Sequence, residues 1–226
     1  MVGIRFQLCV MVLAGTVHAT GFRADLNNIG TPENLRVLSA GLGIAAFARS
    51  WDDEVRDGLR ESHLLDRPTG ISNVYGSSSF NIPVSFAIWG VGKTTGRADF
   101  IELGSGLLRT LALTQLVVAP TKVIVGRERP DGSNNLSFPS GHTANSVAIA
   151  RFLHRSYGGR LGLPLYIFSC FVAAGRIQDD RHFLSDVIVG AAIGGVVGNS
   201  VAVTRSKSMS IAPTPAGLTV TMSLRY

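Results

Sequence analysis

The run Val187-Ile-Val-Gly-Ala-Ala-Ile-Gly-Gly-Val-Val-Gly-Asn-Ser-Val-Ala-Val203 has no charged residue and is far too long for one strand. It reads as a helix. Gly190, Gly194, Gly195 and Gly198 strip side-chain bulk from that helix and let a neighbour approach closely. A buried core helix and a membrane helix use the same device, and both readings stand. Apolar stretches also recur at 80–91, 107–125, 144–153 and 161–174, separated by glycine, proline or charged segments, which predicts a mostly helical domain. Most of these are cut by a charge or fall short of a bilayer span; Arg109 and Lys122 bracket one of them. Residues 187–204 alone read as long enough and uncharged.

Upstream, a polar lead at 20–31 precedes a helix opened by Pro32-Glu33 and running to about residue 50. Helical spacing continues over 51–65, with breaks at Arg67-Pro-Thr-Gly and Gly76-Ser-Ser-Ser. Downstream, Gly217-Leu-Thr-Val-Thr-Met-Ser-Leu-Arg-Tyr226 alternates apolar and polar residues, which predicts a terminal β-hairpin. The chain therefore divides into an N-terminal segment, 1–19, a helical domain, 20–205, and a β-hairpin tail, 206–226.

A length of 226 residues suits one domain, and 46% hydrophobic against 16% charged residues, with mean hydropathy +0.28, leaves soluble and membrane forms open. Residues 1–19 combine Arg5, a short apolar run and the ending Val17-His18-Ala19, the pattern of a secretory signal peptide. Export to the periplasm or cell envelope is expected, with membrane association left open by the last helix. Cys9 lies in that segment, so Cys170 has no intramolecular disulfide partner after cleavage and reads as a buried small hydrophobe. The net charge of +6 is dispersed, without the basic run or aromatic interleaving of a nucleic-acid groove. Nucleic acid is not an expected partner.

Chemistry concentrates in three runs. In Lys122-Val-Ile-Val-Gly-Arg-Glu-Arg129-Pro130, two cations stand about two helical turns apart and share a face if the segment is helical. Pro139-Ser140-Gly141-His142-Thr143 opens a helix: glycine permits close backbone approach to an anion, serine adds a hydroxyl, and the helix N-terminus favours negative charge. Arg176 precedes His182 and Asp186, which are four apart, so on a helix the carboxylate reaches the imidazole and fixes its tautomer. Cations, a nucleophile and an acid are the parts a phosphoryl-transfer site needs. His63 and His154 have no such partners in the sequence and read as structural or exposed, and Arg127, Asp179, Asp180 and Arg181 are charges near the site.

The ordered set Lys-x6-Arg-Pro, Pro-Ser-Gly-His and Arg-x5-His-x3-Asp resembles the type 2 phosphatidic acid phosphatase and vanadium haloperoxidase superfamily over residues 122–186. The third motif usually begins Ser-Arg; this chain has Gly175-Arg176. The resemblance implies an all-α helical bundle, extended here by the β-hairpin tail. It also implies a phosphatase without metal or other cofactor. Lys122, Arg129, Ser140, Gly141 and Arg176 would bind phosphate, His182 would attack phosphorus, Asp186 would orient it, and His142 would protonate the leaving oxygen. The substrate would be a phosphomonoester, either a small molecule or a lipid phosphate or pyrophosphate. A vanadium-dependent haloperoxidase and a non-catalytic envelope-binding protein are the competing readings.

Overall fold

The computed structural model describes residues 19–62, 69–214 and 217–222. The segment read as an export signal and His63 lie outside the described residues, apart from Ala19. The body is all-helical: α1 (Ala19–Ile29), α2 (Pro32–Ala48), a 3-10 turn (Arg49–Trp51), α3 (Asp52–Ser62), α4 (Thr69–Tyr75), α5 (Ser78–Thr95), α6 (Ala98–Val125), α7 (Gly141–Tyr157), α8 (Gly159–Gln178) and α9 (Leu184–Ser208). After α9, the backbone of Met209–Thr214 runs antiparallel to that of Gly217–Met222, from Met209 opposite Met222 to Thr214 opposite Gly217.

The charge-free run becomes the axis of the bundle. Helix α9 packs on α7, α2, α1 and α6, and its contact with α7 is the most extensive in the fold. The glycines explain why. A Cβ at Gly190, Gly194 or Gly198 would stand 2.5, 2.4 and 2.4 Å from the carbonyl oxygens of Ser140, Ala144 and Ala148. The two backbones are nearly in contact, and a methyl group on any of these glycines would force them apart. Gly41 of α2 makes a similar approach, to the Cβ of Ala192. Gly195 points elsewhere, with Val37 Cγ1 at 3.8 Å. Around this seam Leu108, Leu111, Leu113, Phe152, Val197 and Val201 form the dry core. The ring of Phe152 sits over Gly106.

Four sequence expectations change. The polar stretch after Ala19 is helical as α1, because Asp25 and Asn28 are buried against the body and not left in water. Helices α6 and α8, as well as α9, are long and apolar enough to cross a membrane; α6 begins at Ala98 and α8 at Gly159, upstream of the purely apolar stretches, and the extra turns supply the missing length. Cys170 is exposed on α8, not buried. It belongs to an outward apolar face with Leu163, Ile167 and Phe171. Finally, α6 stops at Val125, where Gly126 takes a left-handed conformation (φ 59°) and its N–H donates to the Lys122 carbonyl. Arg129 therefore stands on a loop and not on the Lys122 helix face, as a glycine C-cap ends the helix before the proline can.

Candidate active site

Helices α5, α7 and α9 begin, and α6 and α8 end, around one cavity of about 720 Å³. Its wall includes Lys122, Arg129, Gly141, His142, Arg176 and His182. Three segments distant in sequence thus deliver three cations and two imidazoles to one space. Ser140 and Asp186 stand behind that wall, both fully buried. Ser140 is the N-cap of α7: its Oγ accepts from the Thr143 N–H at 3.5 Å and lies 3.0 Å from Thr143 Oγ1. It frames the helix N-terminus that presents Gly141 to the cavity.

His182 precedes α9, so the pair with Asp186 is not made along a helix face as the spacing suggested. Asp186 is the third residue of α9, and its Oδ2 reaches back to accept from the Phe183 N–H at 2.9 Å, the carboxylate half of a capping box. The same oxygen faces His182 Nδ1 at 3.9 Å, charge-pair range but longer than a hydrogen bond. Asp186 Oδ2 also accepts from Ser137 Oγ at 2.5 Å, and Oδ1 from Arg127 Nη1 at 2.7 Å. Arg127 then donates to Asp52 Oδ2 at 2.8 Å. Asp52 receives the backbone N–H and the hydroxyl of Ser185 at 2.8 and 2.7 Å, which ties the start of α3 to the start of α9. The Arg127 guanidinium covers the Phe183 ring at 4.1 Å.

The cations are held differently. Lys122 Nζ donates to the carbonyls of Leu136 and Ser137 at 2.6 and 3.2 Å. Arg176 Nη1 donates to Asn73 Oδ1 of α4 and faces Asp179 at 3.5 Å. The Nε atoms of Arg129 and Arg176 are buried without a hydrogen-bond partner among the described residues. Such donors suit the oxygens of an anion, because leaving a charged donor unmatched costs free energy that a phosphate would restore. Burial, and then the positive charge of Arg181, lowers the Arg129 pKa.

Both imidazoles are neutral at pH 7 in this environment. Burial first, then Arg176 and the other surrounding cations, pulls His142 down to about 3. Burial pulls His182 down to about 4, against the opposing pull of Asp186. A neutral His182 can act as a nucleophile. His142 must gain a proton before it can act as an acid, and a bound dianion supplies the negative potential that raises its pKa. Gly76 sets the closeness of the other wall, since a Cβ there would stand 2.8 Å from His142 Cβ. Asn145 latches that turn by donating to the Gly76 carbonyl at 3.2 Å and to Ser78 Oγ at 2.9 Å.

Sequence reasoning placed Arg127 and Asp179 only near the site, and it missed Asp52, Asn73, Ser137, Asn145 and Ser185. The available signal was weak: Asp52 shows only as an acidic first turn, and Gly76-Ser-Ser-Ser only as a break. Among the described residues, no group of three His, Cys, Asp or Glu side chains is placed to hold a metal ion.

A family model described as the PAP2 superfamily matches residues 104–210, which include all the motif residues. Over 91 residues the chain is 42% identical to the lipid A 1-phosphatase of Porphyromonas gingivalis, covering 39% of this chain and 20% of that protein. Over 152 residues it is 31% identical to the decaprenylphosphoryl-5-phosphoribose phosphatase of Mycobacterium tuberculosis, covering 61% of this chain and 82% of that protein. The chain thus spans a fifth of the length of the first relative and most of the second. The fold is similar to that of a transmembrane PAP2-type phosphatidylglycerolphosphate phosphatase from Bacillus subtilis, with a TM-score of 0.65 at 24% identity over 78% of this chain and 98% of that one. With the second relative matched along most of its length, and the three motifs folded around one cavity, the chain belongs to the PAP2 superfamily.

Proposed function

We propose that this protein is a metal-independent phosphatase that cleaves a lipid phosphate through a phosphohistidine on His182. The observation that carries the reading is the convergence of Lys122, Arg129, Arg176, His142 and His182 on one cavity. Both relatives, phosphatases of lipid A and of a decaprenyl-linked phosphoribose, support a lipid substrate.

In this reading the three cations and the Gly141 N–H hold the non-bridging oxygens, as Ser140 fixes the α7 N-terminus beneath them. Nδ1 of His182 faces Asp186, so Nε2 attacks phosphorus. The N–P bond forms as the P–O bond to the lipid breaks, and His142 gives its proton to the departing oxygen. His142 then takes a proton from water, whose oxygen attacks phosphorus; the N–P bond breaks and phosphate leaves. The cations supply the charge stabilisation that a metal supplies elsewhere.

The membrane setting belongs to the same proposal. Helices α6, α8 and α9 are long and apolar enough to cross a bilayer. Phe47 on α2, Ile124 on α6 and Ile167 on α8 expose their apolar side chains by 72%, 83% and 62%, far beyond what a soluble core helix leaves in water. The helical body of residues 20–205 would sit in or on the membrane, with residues 1–19 as an export signal and residues 206–226 as a hairpin appendage. Mass measurement of the mature N-terminus tests the export signal: a chain beginning at Thr20 is expected, and an intact Met1 or Val2 end rejects cleavage.

The central test is phosphate release from a lipid phosphate in detergent with excess chelator. Activity is expected to persist, and an alkaline quench with radiolabelled substrate is expected to trap an acid-labile label on His182. Activity lost to chelator and restored by magnesium or zinc would overturn the mechanism, as would a label on another residue.

A further inference from the structure

Every group given to the phosphate so far comes from the three motifs, but what decides how Arg176 meets it lies outside them. Arg176 stands buried in the last turn of α8. Along one edge of a guanidinium, Nε and Nη2 form a planar fork spaced for two oxygens of a single anion, and Nη1 lies off that edge. Nη1 is the nitrogen already taken here: it donates to Asn73 Oδ1 and faces Asp179 Oδ2 at 3.5 Å. Nε has no hydrogen-bond partner among the described residues. This grip leaves the Nε–Nη2 fork to an anion in the cavity that Arg176 lines.

Asn73 is suited to that grip. Its amide nitrogen donates to Asp179 Oδ2 at 3.2 Å while its amide oxygen accepts from Arg176, so a neutral side chain bridges a cation and a carboxylate with each end turned to its complement. The reverse orientation would set an NH2 group against the guanidinium and a carbonyl against the carboxylate, so the amide has one stable direction. Asn73 belongs to α4, a seven-residue helix that packs on α8, and it therefore fixes the guanidinium relative to the helix that carries it. Neutrality matters too. A second carboxylate at this position would cancel the charge that Arg176 brings to the phosphate.

Resting on the phosphatase reading above, we infer that Asn73 is a positioning residue for phosphoryl transfer: it holds Arg176 by Nη1, with Asp179 fixing the direction of its amide, so that the Nε–Nη2 edge meets two non-bridging oxygens. Without it the guanidinium turns to the Asp179 carboxylate, 3.5 Å away, and gives up its alignment on phosphate. Asn73 itself forms no bond to the substrate.

The experiment measures kcat/KM for phosphate release from a lipid phosphate in detergent, the inhibition constant of inorganic phosphate, and the thermal unfolding of each variant. Asn73→Ala is expected to lower kcat/KM and to weaken inhibition by phosphate, each by about tenfold, the scale of one hydrogen bond to a charged group. A bridge that served only to hold α4 on α8 would lower the melting temperature without moving the inhibition constant. In an Arg176→Lys background, where a point charge has no edge to orient, the same substitution is expected to cost less than about twofold. Asn73→Asp is expected to lose at least as much as Asn73→Ala, because two carboxylates then compete with phosphate for Arg176. Adding Asp179→Asn exchanges the amide and the carboxylate and is expected to recover most of that loss. An Asn73→Ala enzyme within about twofold of the unaltered protein in both constants, an equal loss in the Arg176→Lys background, or an exchanged pair no better than Asn73→Asp would overturn the inference. If Asn73→Ala does not fold, Asn73→Asp and the exchanged pair decide it. No phosphate release from the unaltered protein would instead overturn the phosphatase reading, and this inference with it.

Discussion

The two ends of α9 each bury an aspartate opposite an arginine, yet they are built to opposite purposes. At the start of the helix, Asp186 accepts hydrogen bonds from Arg127, Ser137 and the Phe183 N–H, with Asp52 completing the charge balance through Arg127. At the far end, Asp25 of α1 lies 3.1 Å from Arg109 Nε without a bond of hydrogen-bonding geometry between them, and burial drives its carboxyl up to about 6 against the pull of Arg109 and Thr204. The polar groups around it are amides that lock helices together. Asn28 donates to Thr204 Oγ1 at 2.9 Å, Asn34 to Ser200 Oγ at 3.0 Å, and Asn199 to Asn34 Oδ1 at 3.0 Å. One end spends its hydrogen bonds on keeping a carboxylate charged beside an imidazole. The other spends them on seating α1 and α2 and tolerates a carboxylate near neutrality.

The largest expected effect breaks the end proposed as catalytic. His182→Ala is expected to abolish turnover of every substrate, whereas His142→Ala is expected to retain more activity on nitrophenyl phosphate, whose leaving group needs little protonation, than on an alkyl phosphate. Equal losses on both substrates for His142→Ala would remove its role as acid. Next is Arg127→Ala, which leaves Asp52 and Asp186 buried without their shared cation. A stability loss of about 3–5 kcal/mol is expected in denaturant titration in detergent, with a fall in kcat. Arg127→Lys is expected to recover part of both. A stable Arg127→Ala enzyme with unchanged kcat would show the Asp52–Arg127–Asp186 chain to be idle.

A third expectation concerns the seam that joins the two ends. Gly194→Val is expected to cost about 1–3 kcal/mol or more, because its Cβ would meet the Ala144 carbonyl at 2.4 Å. Gly195→Ala, one residue on from Gly194 but turned toward Val37 and clear of the seam, is expected to stabilise by about 0.5–1 kcal/mol through helix propensity. Thermal unfolding of the two variants decides it; a tolerated Gly194→Val would mean that α7 and α9 do not pack as closely as described.

The smallest effect reads the contrast in acid. Both imidazoles sit below their ordinary 6.5, so as pH falls the unfolded chain takes up their protons first, and stability drops from about 6.5 toward 4 for His182 and toward 3 for His142. Asp25 sits above its ordinary 3.8, so the native state takes up its proton first. Its contribution is fully present below about 3.8 and is lost as pH rises through about 6. The two ends oppose each other between those limits. Asp25→Asn removes the compensating group and is expected to steepen the acid loss of melting temperature, while inorganic phosphate is expected to reduce it by raising the imidazole pKa values. An unchanged slope in Asp25→Asn would mean that Asp25 does not titrate in this range.

Helices and the residues that meet in the cavity were legible in the sequence because both depend on local facts. A charge-free run such as 187–203 can bury its surface only as a helix, and Lys122, Arg129, His142, Arg176 and His182 carry their chemistry in their own side chains. What supports them was not legible. Asp52 and Arg127 are 75 residues apart in the chain, Asn73 and Arg176 are 103, and no periodicity links residues that meet only when separate helix ends converge. The i,i+4 reading of His182 and Asp186 failed for a related reason: the helix starts between them, and the carboxylate serves the helix end as well as the imidazole. Likewise the glycines announced a close helix contact, but only the packed structure decided that Gly190, Gly194 and Gly198 face α7 while Gly195 does not, since that choice rests on which backbone arrives at each face.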